Sequence, residues 1–146
     1  MYGFLDEIVA DNMTRAVKTV SPDTTMQALN ARFAKDDFNA YPVMLQGKLV
    51  GIVSKFDFLN CFILTKAALV PRYDELMDRT VERVMSRTFV SVRPDTRLQR
   101  VLQLMVGHRI RSMPVLDSSD CLVGVISRED VMRALRRCAT PRSVDS

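Results

Sequence analysis

Histidine occurs once in this sequence, at His108, and cysteine three times, at Cys61, Cys121 and Cys138, with no CxxC spacing. One histidine cannot build a Ser-His-Asp or Cys-His system without partners the sequence does not show. With scattered thiols it also supplies too few ligands for a metal site. Three widely spaced cysteines point to buried free thiols in a reducing cytosol rather than to a disulfide framework. No GxxxxGK[ST] run is present, so no Walker A phosphate loop is expected. No apolar run approaches the roughly 20 residues of a membrane span. The opening MYGFLDEIVADN has early acids and no basic stretch, which argues against a signal peptide. These absences exclude the common enzyme chemistries and predict a cytoplasmic, non-catalytic protein without a metal or a membrane partner.

What is present is an ordinary globular composition, 47% hydrophobic and 26% charged over 146 residues, enough for one core or two small ones. The net charge of +4 is uneven along the chain: residues 1–73 carry 8 basic and 7 acidic groups, residues 74–146 carry 13 and 10. The arginines of the second half alternate with apolar residues and have no aromatic platform around them. They suit a focused anion site better than a nucleic-acid surface.

The chain repeats itself. A shift of 72 pairs Met13 with Met85, Arg15 with Arg87, Val20 with Val92, Pro22-Asp23-Thr24 with Pro94-Asp95-Thr96, Gln27 with Gln99 and Pro42-Val43 with Pro114-Val115. After the LQGK turn the shift becomes 73, and pairs Leu49-Val50-Gly51 with Leu122-Val123-Gly124, Ser54 with Ser127 and Asp57 with Asp130. Two copies of one module follow. The reading places a first copy at 8–66, a linker at 67–79 and a second copy at 80–138.

Each copy has the same physical plan. AVKTV and TFVSV read as short strands. Thr24 and Thr96 read as helix N-caps with Gln27 and Gln99 three residues on, a capping box of about 1 kcal/mol. Met26, Leu29 and Phe33 mark one apolar helix face, and Leu98, Val101, Leu102, Met105 and Val106 mark the other. YPVML and KLVGIVS form a hairpin across Gln46-Gly47, and MPVLD and CLVGVIS form one across Asp117–Asp120. A last helix starts at Ser54 or Ser127. Residues 59–78 are too apolar for a tether and are expected to continue that helix, break at Pro71 and lead into TVERVM; FLDEIVADNM is the counterpart before the first copy. The same apolar stretch is a candidate dimer surface. The unit is β-α-β-β-α, and two packed face to face give an α/β (α+β) domain with pseudo-twofold symmetry.

The doubled unit, closed each time by Gly, two hydrophobics and Ser-x-x-Asp, resembles the tandem CBS-domain family. Met-Thr or Met-Ser before the first strand, SPDT or RPDT at the helix start and YPV or MPV in the second strand agree. The resemblance covers residues 8–137. It implies a CBS-domain pair: a regulatory module, not an enzyme, that needs no cofactor and binds AMP, ADP, ATP or S-adenosylmethionine in clefts between the copies. It also implies a homodimer and a regulated partner that the sequence does not name.

Ser54-x-x-Asp57 and Ser127-x-x-Asp130 bear two readings. As capping boxes they need no ligand. As a ligand site, the serine meets a phosphate or ribose edge, the aspartate accepts a ribose diol, and Lys55 and Arg128 meet phosphates. Both roles can coexist. By resemblance, Thr14, Val17 and Thr19 in one copy, and Ser86, Phe89 and Ser91 in the other, line an adenine slot. The backbone around Tyr41-Pro42 and Met113-Pro114 reads the base edge, with Ser112 near it. His108-Arg109 matches a phosphate-binding pair of some relatives, whereas the first copy has Asp36-Asp37, which would repel phosphate or lie solvated. Ligand phosphates neutralising Lys55, Arg109 and Arg128 would alter how the copies pack. A structural dimerisation or interaction module with degenerate pockets is the alternative, and nucleic-acid binding the third reading.

Overall fold

Gln46 (φ 52°) and Gly47 (φ 79°) both lie in the left-handed region, as a two-residue hairpin turn requires, and they join the two strands expected on either side. The computed structural model describes residues 2–63 and 73–139. In chain order these form α1 (Tyr2–Leu5), a 3₁₀ turn (Val9–Asp11), α2 (Met26–Lys35), β1 (Ala40–Leu45), β2 (Lys48–Ser54) and α3 (Lys55–Asn60). There follow α4 (Tyr73–Met77), a second 3₁₀ turn (Val81–Arg83), α5 (Leu98–His108), β3 (Ser112–Leu116), β4 (Leu122–Ser127) and α6 (Arg128–Ala139). β1 pairs with β2 and β3 with β4, both antiparallel, and each hairpin shifts register once, after Val43 and after Val115. The second hairpin turns through Asp120 (φ 62°), with Asp117 Oδ1 accepting from the Ser119 and Cys121 amides at 2.8 and 3.0 Å.

Two β-α-β-β-α repeats result, but the first strand of each is a single bridging residue. Val20 donates to the Pro42 carbonyl (3.0 Å) and accepts from Met44 N (2.8 Å); Val92 does the same with Pro114 (3.1 Å) and Leu116 (2.9 Å). Pro22 and Pro94, two residues on, cannot donate to a ladder and end the pairing. The expected caps also move. Thr24 and Thr96 do not cap helices; their hydroxyls accept from Ser21 N (3.1 Å) and Arg93 N (3.0 Å) and close the Pro-Asp-Thr turns. Thr25 caps α2 instead, accepting from Ala28 N, and Arg97, the residue before α5, makes no side-chain cap.

The chain divides into two compact units, residues 18–89 and residues up to 17 together with 90 onward. In the first unit Met26, Leu29, Phe33, Tyr41, Val43, Val53 and Val81 form the core. In the second, Phe4, Val9, Leu98, Val101, Met105, Val115, Ile126 and Val131 do so. Each of these side chains contributes about 1.5–3 kcal/mol when fully buried. Val106, expected on the apolar stripe of α5, is 70% exposed, and Leu102 is only partly buried.

The opening segment of each sequence copy therefore folds with the other copy. Ser86 exchanges amide bonds with Ile52 in the first unit (2.8 and 2.9 Å), and Thr14 exchanges them with Val125 in the second (2.9 Å each). The repeated glycine makes this docking possible: a Cβ on Gly51 would lie 2.8 Å from both Met85 Sδ and the Ser86 carbonyl, and one on Gly124 2.7 Å from Met13 Sδ. The charge regroups accordingly. Residues 18–89 carry ten basic and eight acidic groups, the remainder eleven and nine, so each unit is +2 and the imbalance between sequence halves disappears. All five lysines fall in the first unit; the second has only arginine.

The last helix of the first copy stops at Asn60 rather than running on through the linker, and Pro71 lies outside the described residues. The cysteines are free but not buried: Cys121 is exposed, and Cys61 and Cys138 are half-buried.

Candidate functional site

Each strand that ends in Ser-x-x-Asp turns into a helix by the same three hydrogen bonds. In the first unit Ser54 N and Oγ donate to Asp57 Oδ2 at 2.8 and 3.0 Å, and Asp57 N donates to Ser54 Oγ at 3.1 Å. In the second, Ser127 N and Oγ donate to Asp130 Oδ2 at 2.9 Å each, and Asp130 N donates back to Ser127 Oγ at 3.2 Å. Both are capping boxes, so the spacing has a complete local explanation. The junctions are anchored alike: Lys55 N donates to the Asn39 carbonyl and Arg128 N to the Arg111 carbonyl, both at 2.9 Å.

Their outer atoms differ. Asp130 is 3% exposed, and its Oδ1 accepts from Arg133 Nη1 at 3.1 Å. Asp57 is half-buried, and among the described residues none donates to its Oδ1. Arg128 pairs with Glu129 at 2.8 Å, and this hydrogen bond holds the Glu129 carboxyl below its ordinary range. Lys55 Nζ stands 5.9 Å from the Phe33 ring centre.

The ladders bring some of the expected residues together. Pro42, Ile52 and Ser86 sit side by side across three adjacent segments of the first unit, and Pro114, Val125 and Thr14 do so in the second; Ser112 faces Ser127. Ser86 and Thr14 are exposed. The expected grouping by copy is redistributed: Thr14 and Val17 belong to the second unit with Ser91, whereas Thr19 belongs to the first with Ser86 and Phe89. Sequence spacing reports order along the chain, not the sheet on which a segment docks. Tyr41 and Met113 are buried, and so are Pro42 and Pro114 beside them. His108 ends α5 and Arg109 follows in the left-handed region (φ 55°), its amide donating to the Met105 carbonyl; both side chains are exposed.

Asp36 is the clearest departure from expectation. It is neither solvated nor free to repel phosphate: at 8% exposure its Oδ1 accepts from Lys18 Nζ at 2.7 Å, and its Oδ2 lies 2.9 Å from the Tyr41 hydroxyl and 3.6 Å from Arg32 Nε. The Arg32 guanidinium also covers the Tyr41 ring at 4.9 Å. The Lys18 hydrogen bond, then that of Tyr41, holds the Asp36 carboxyl below its ordinary range. Burial, reinforced by Asp36, pushes the Tyr41 phenol up to about 12. Only the Arg32-Asp36 pair, four apart on a helix, left a trace in the sequence; Lys18 and Tyr41 come from elsewhere in the fold.

A depression of about 540 Å³ in the first unit is lined by Gln27, Asn30, Tyr73, Asp74 and Asp78 among others, and by none of the expected residues. Among the described residues no helix is long and apolar enough to cross a membrane, and no group of three His, Cys, Asp or Glu could hold a metal ion.

Comparison with known proteins agrees with the fold. The CBS domain family model matches twice, at residues 5–63 and 81–137. Protein MJ0188 of Methanocaldococcus jannaschii is 31% identical over 140 residues, 94% of this chain and 48% of the relative. The CBS domain-containing protein YhcV of Bacillus subtilis is 33% identical over 84% of this chain and 81% of its own. The first two curated relatives are about twice as long as the part this chain spans. Among solved structures, CBSX2 in complex with AMP superposes with a TM-score of 0.73 at 27% identity, covering 90% of this chain and 97% of that one. CBS-domain pairs are non-catalytic regulatory modules, and this chain belongs to the CBS-domain family.

Proposed function

We propose that this CBS-domain pair is a sensor of an adenosine-containing ligand, AMP, ADP, ATP or S-adenosylmethionine, held at its Ser-x-x-Asp junctions. The observation that carries the reading is the duplicated junction: in both units one aspartate and one serine are fixed by the same three hydrogen bonds beside a cation, Lys55 or Arg128. The AMP found in CBSX2 supports the ligand class. In this reading the aspartates meet ribose, and Lys55, Arg109 and Arg128 meet phosphates. Thr14, Val17, Thr19, Ser86, Phe89 and Ser91 line the base, with the backbones at Tyr41-Pro42 and Met113-Pro114, and Ser112, beside it. His108, exposed at the end of α5, adds a donor for a longer phosphate chain. A ligand shifts the module only by binding its two states unequally, and the regulated protein reads that shift.

A homodimer belongs to the same proposal. Phe56 and Leu59 on α3 are 75% and 58% exposed, an apolar face that suits a second copy. The second reading is an interaction module with degenerate pockets, favoured by the fact that the capping boxes are complete without a ligand.

The test is calorimetric titration of AMP, ADP, ATP and S-adenosylmethionine into protein stripped of carried-over ligand, with Asp57→Ala and Asp130→Ala in parallel. Micromolar binding weakened by an aspartate variant that remains folded is the expected result. No heat from any ligand with folded protein favours the interaction module.

A further inference from the structure

The two aspartates are bound alike on one side and differently on the other. Oδ2 is spent on the cap in both units. Oδ1 of Asp130 is taken by Arg133 at 3.1 Å, and the Asp130 side chain is 4% exposed. Arg133 stands three residues beyond its aspartate on α6. The residue three beyond Asp57 is Asn60, the last of α3, an exposed amide that makes no hydrogen bond to Asp57. One substitution between the copies, Asn60 for Arg133, thus accompanies the difference in carboxylate availability.

We propose that Arg133 closes the carboxylate of the second unit to a ribose diol, leaving Asp57 as the chain's diol acceptor, and that the Arg133/Asn60 difference sets how many diol-selective sites the chain offers. The inference rests on the nucleotide reading above and narrows its ribose contact from both aspartates to Asp57 alone. A cis-diol donates two hydrogen bonds and needs an acceptor that is accessible and not already satisfied. Among the described residues nothing donates to Asp57 Oδ1, and Asp57 is half-buried where Asp130 is closed in. Arg133 fills one of the two lone-pair directions of Asp130 Oδ1, so that oxygen can accept only one of the diol's two hydroxyls unless the charge-assisted bond to the guanidinium is given up for a neutral one. Arg133 is a positioning residue here: it acts through Asp130 and touches no ligand itself. The difference is independent of the phosphate-binding cations, so it affects sugar selectivity rather than anion binding.

The experiment titrates AMP and 2′-deoxy-AMP into wild-type protein and into Asn60→Arg, Arg133→Asn and Arg133→Lys variants, with thermal melts confirming that each is folded. Wild type is expected to bind AMP at one diol-selective site per chain, with 2′-deoxy-AMP weaker by about tenfold, the scale of one hydrogen bond to a charged group. Asn60→Arg lowers AMP affinity by about the same factor and removes the preference for AMP over 2′-deoxy-AMP. Arg133→Asn adds a second diol-selective site, and Arg133→Lys, which keeps a cation within reach of Asp130, does not. Two diol-selective sites in wild type overturn the inference, as does a preference for AMP unmoved by Asn60→Arg. Absence of AMP binding to folded wild-type protein overturns the nucleotide reading itself, and the two failures are distinguished by the wild-type titration alone.

Discussion

Where the first unit has Lys18, Arg32, Asp36 and Tyr41, the second has Val90, Leu104, His108 and Met113. The first set is a polar network around a buried carboxylate. In the second set Val90, Leu104 and Met113 pack into an apolar core while His108 stays outside. The hairpins and the junctions are otherwise nearly superimposable in register. One backbone plan thus accepts two core chemistries, provided the polar one arrives complete. A buried carboxylate without its partners is costly, whereas the full network and a full apolar replacement can be close in stability.

The largest expected effect comes from breaking the network at one point. Tyr41→Met, which installs the second unit's residue in the first, removes a hydrogen-bond donor from Asp36 and the ring that packs against Phe33, and is expected to cost about 2–4 kcal/mol in chemical denaturation. Replacing all four positions by their counterparts is expected to cost less than the sum of the four single changes, because the groups that would be orphaned are removed together. Additive losses would show that the four residues act separately.

Somewhat smaller, and equal in the two units, is the effect of closing the glycine contacts. Gly51→Ala and Gly124→Ala each put a methyl within 3 Å of a methionine sulfur and a carbonyl oxygen, so each is expected to cost about 1–3 kcal/mol by shifting the docked segment. A loss confined to one variant would mean that only one docking matters to stability.

The pH dependence sharpens the comparison further. Asp36 is favoured as a carboxylate when folded, so its contribution is present above its unfolded value and is lost as pH falls through the lowered folded value. Tyr41 is favoured neutral, so its contribution is present below the ordinary phenol value near 10 and is lost as pH rises through about 12. Melting temperatures across pH should therefore show an alkaline loss in that window that Tyr41→Phe abolishes. A loss unchanged in Tyr41→Phe would assign it elsewhere.

The smallest effect separates the two helix ends. α5 ends with Arg109 at φ 55°, where glycine carries no steric penalty, whereas α2 ends at Asp36 with φ −97°. Arg109→Gly is expected to raise stability by about 1 kcal/mol, and Asp37→Gly, its sequence counterpart, to give no gain.

What the sequence revealed follows from how local each feature is. The hairpins, the Gln46-Gly47 turn and the Ser-x-x-Asp caps depend on residues within a few positions of one another, and they lie where the pattern put them. Thr24 and Thr25 compete for one cap only a residue apart, a choice decided by the Pro-Asp-Thr turn that uses the Thr24 hydroxyl. The docking of Met13-Thr14 on the second unit and the joining of Lys18 to Asp36 are long-range, and neither repeat spacing nor composition encodes a partner at that distance. At the candidate site the serine and aspartate were legible because they recur. Arg133 was not, because it matters only against Asn60.

Whether the Ser-x-x-Asp junctions hold an adenosine ligand or only cap helices is decided by AMP titration into stripped wild-type protein beside Asp57→Asn. Saturable binding to wild type, weakened about tenfold in a variant whose melting temperature is nearly unchanged, is the predicted result. Identical titrations for the two folded proteins, or no heat from either, would contradict it.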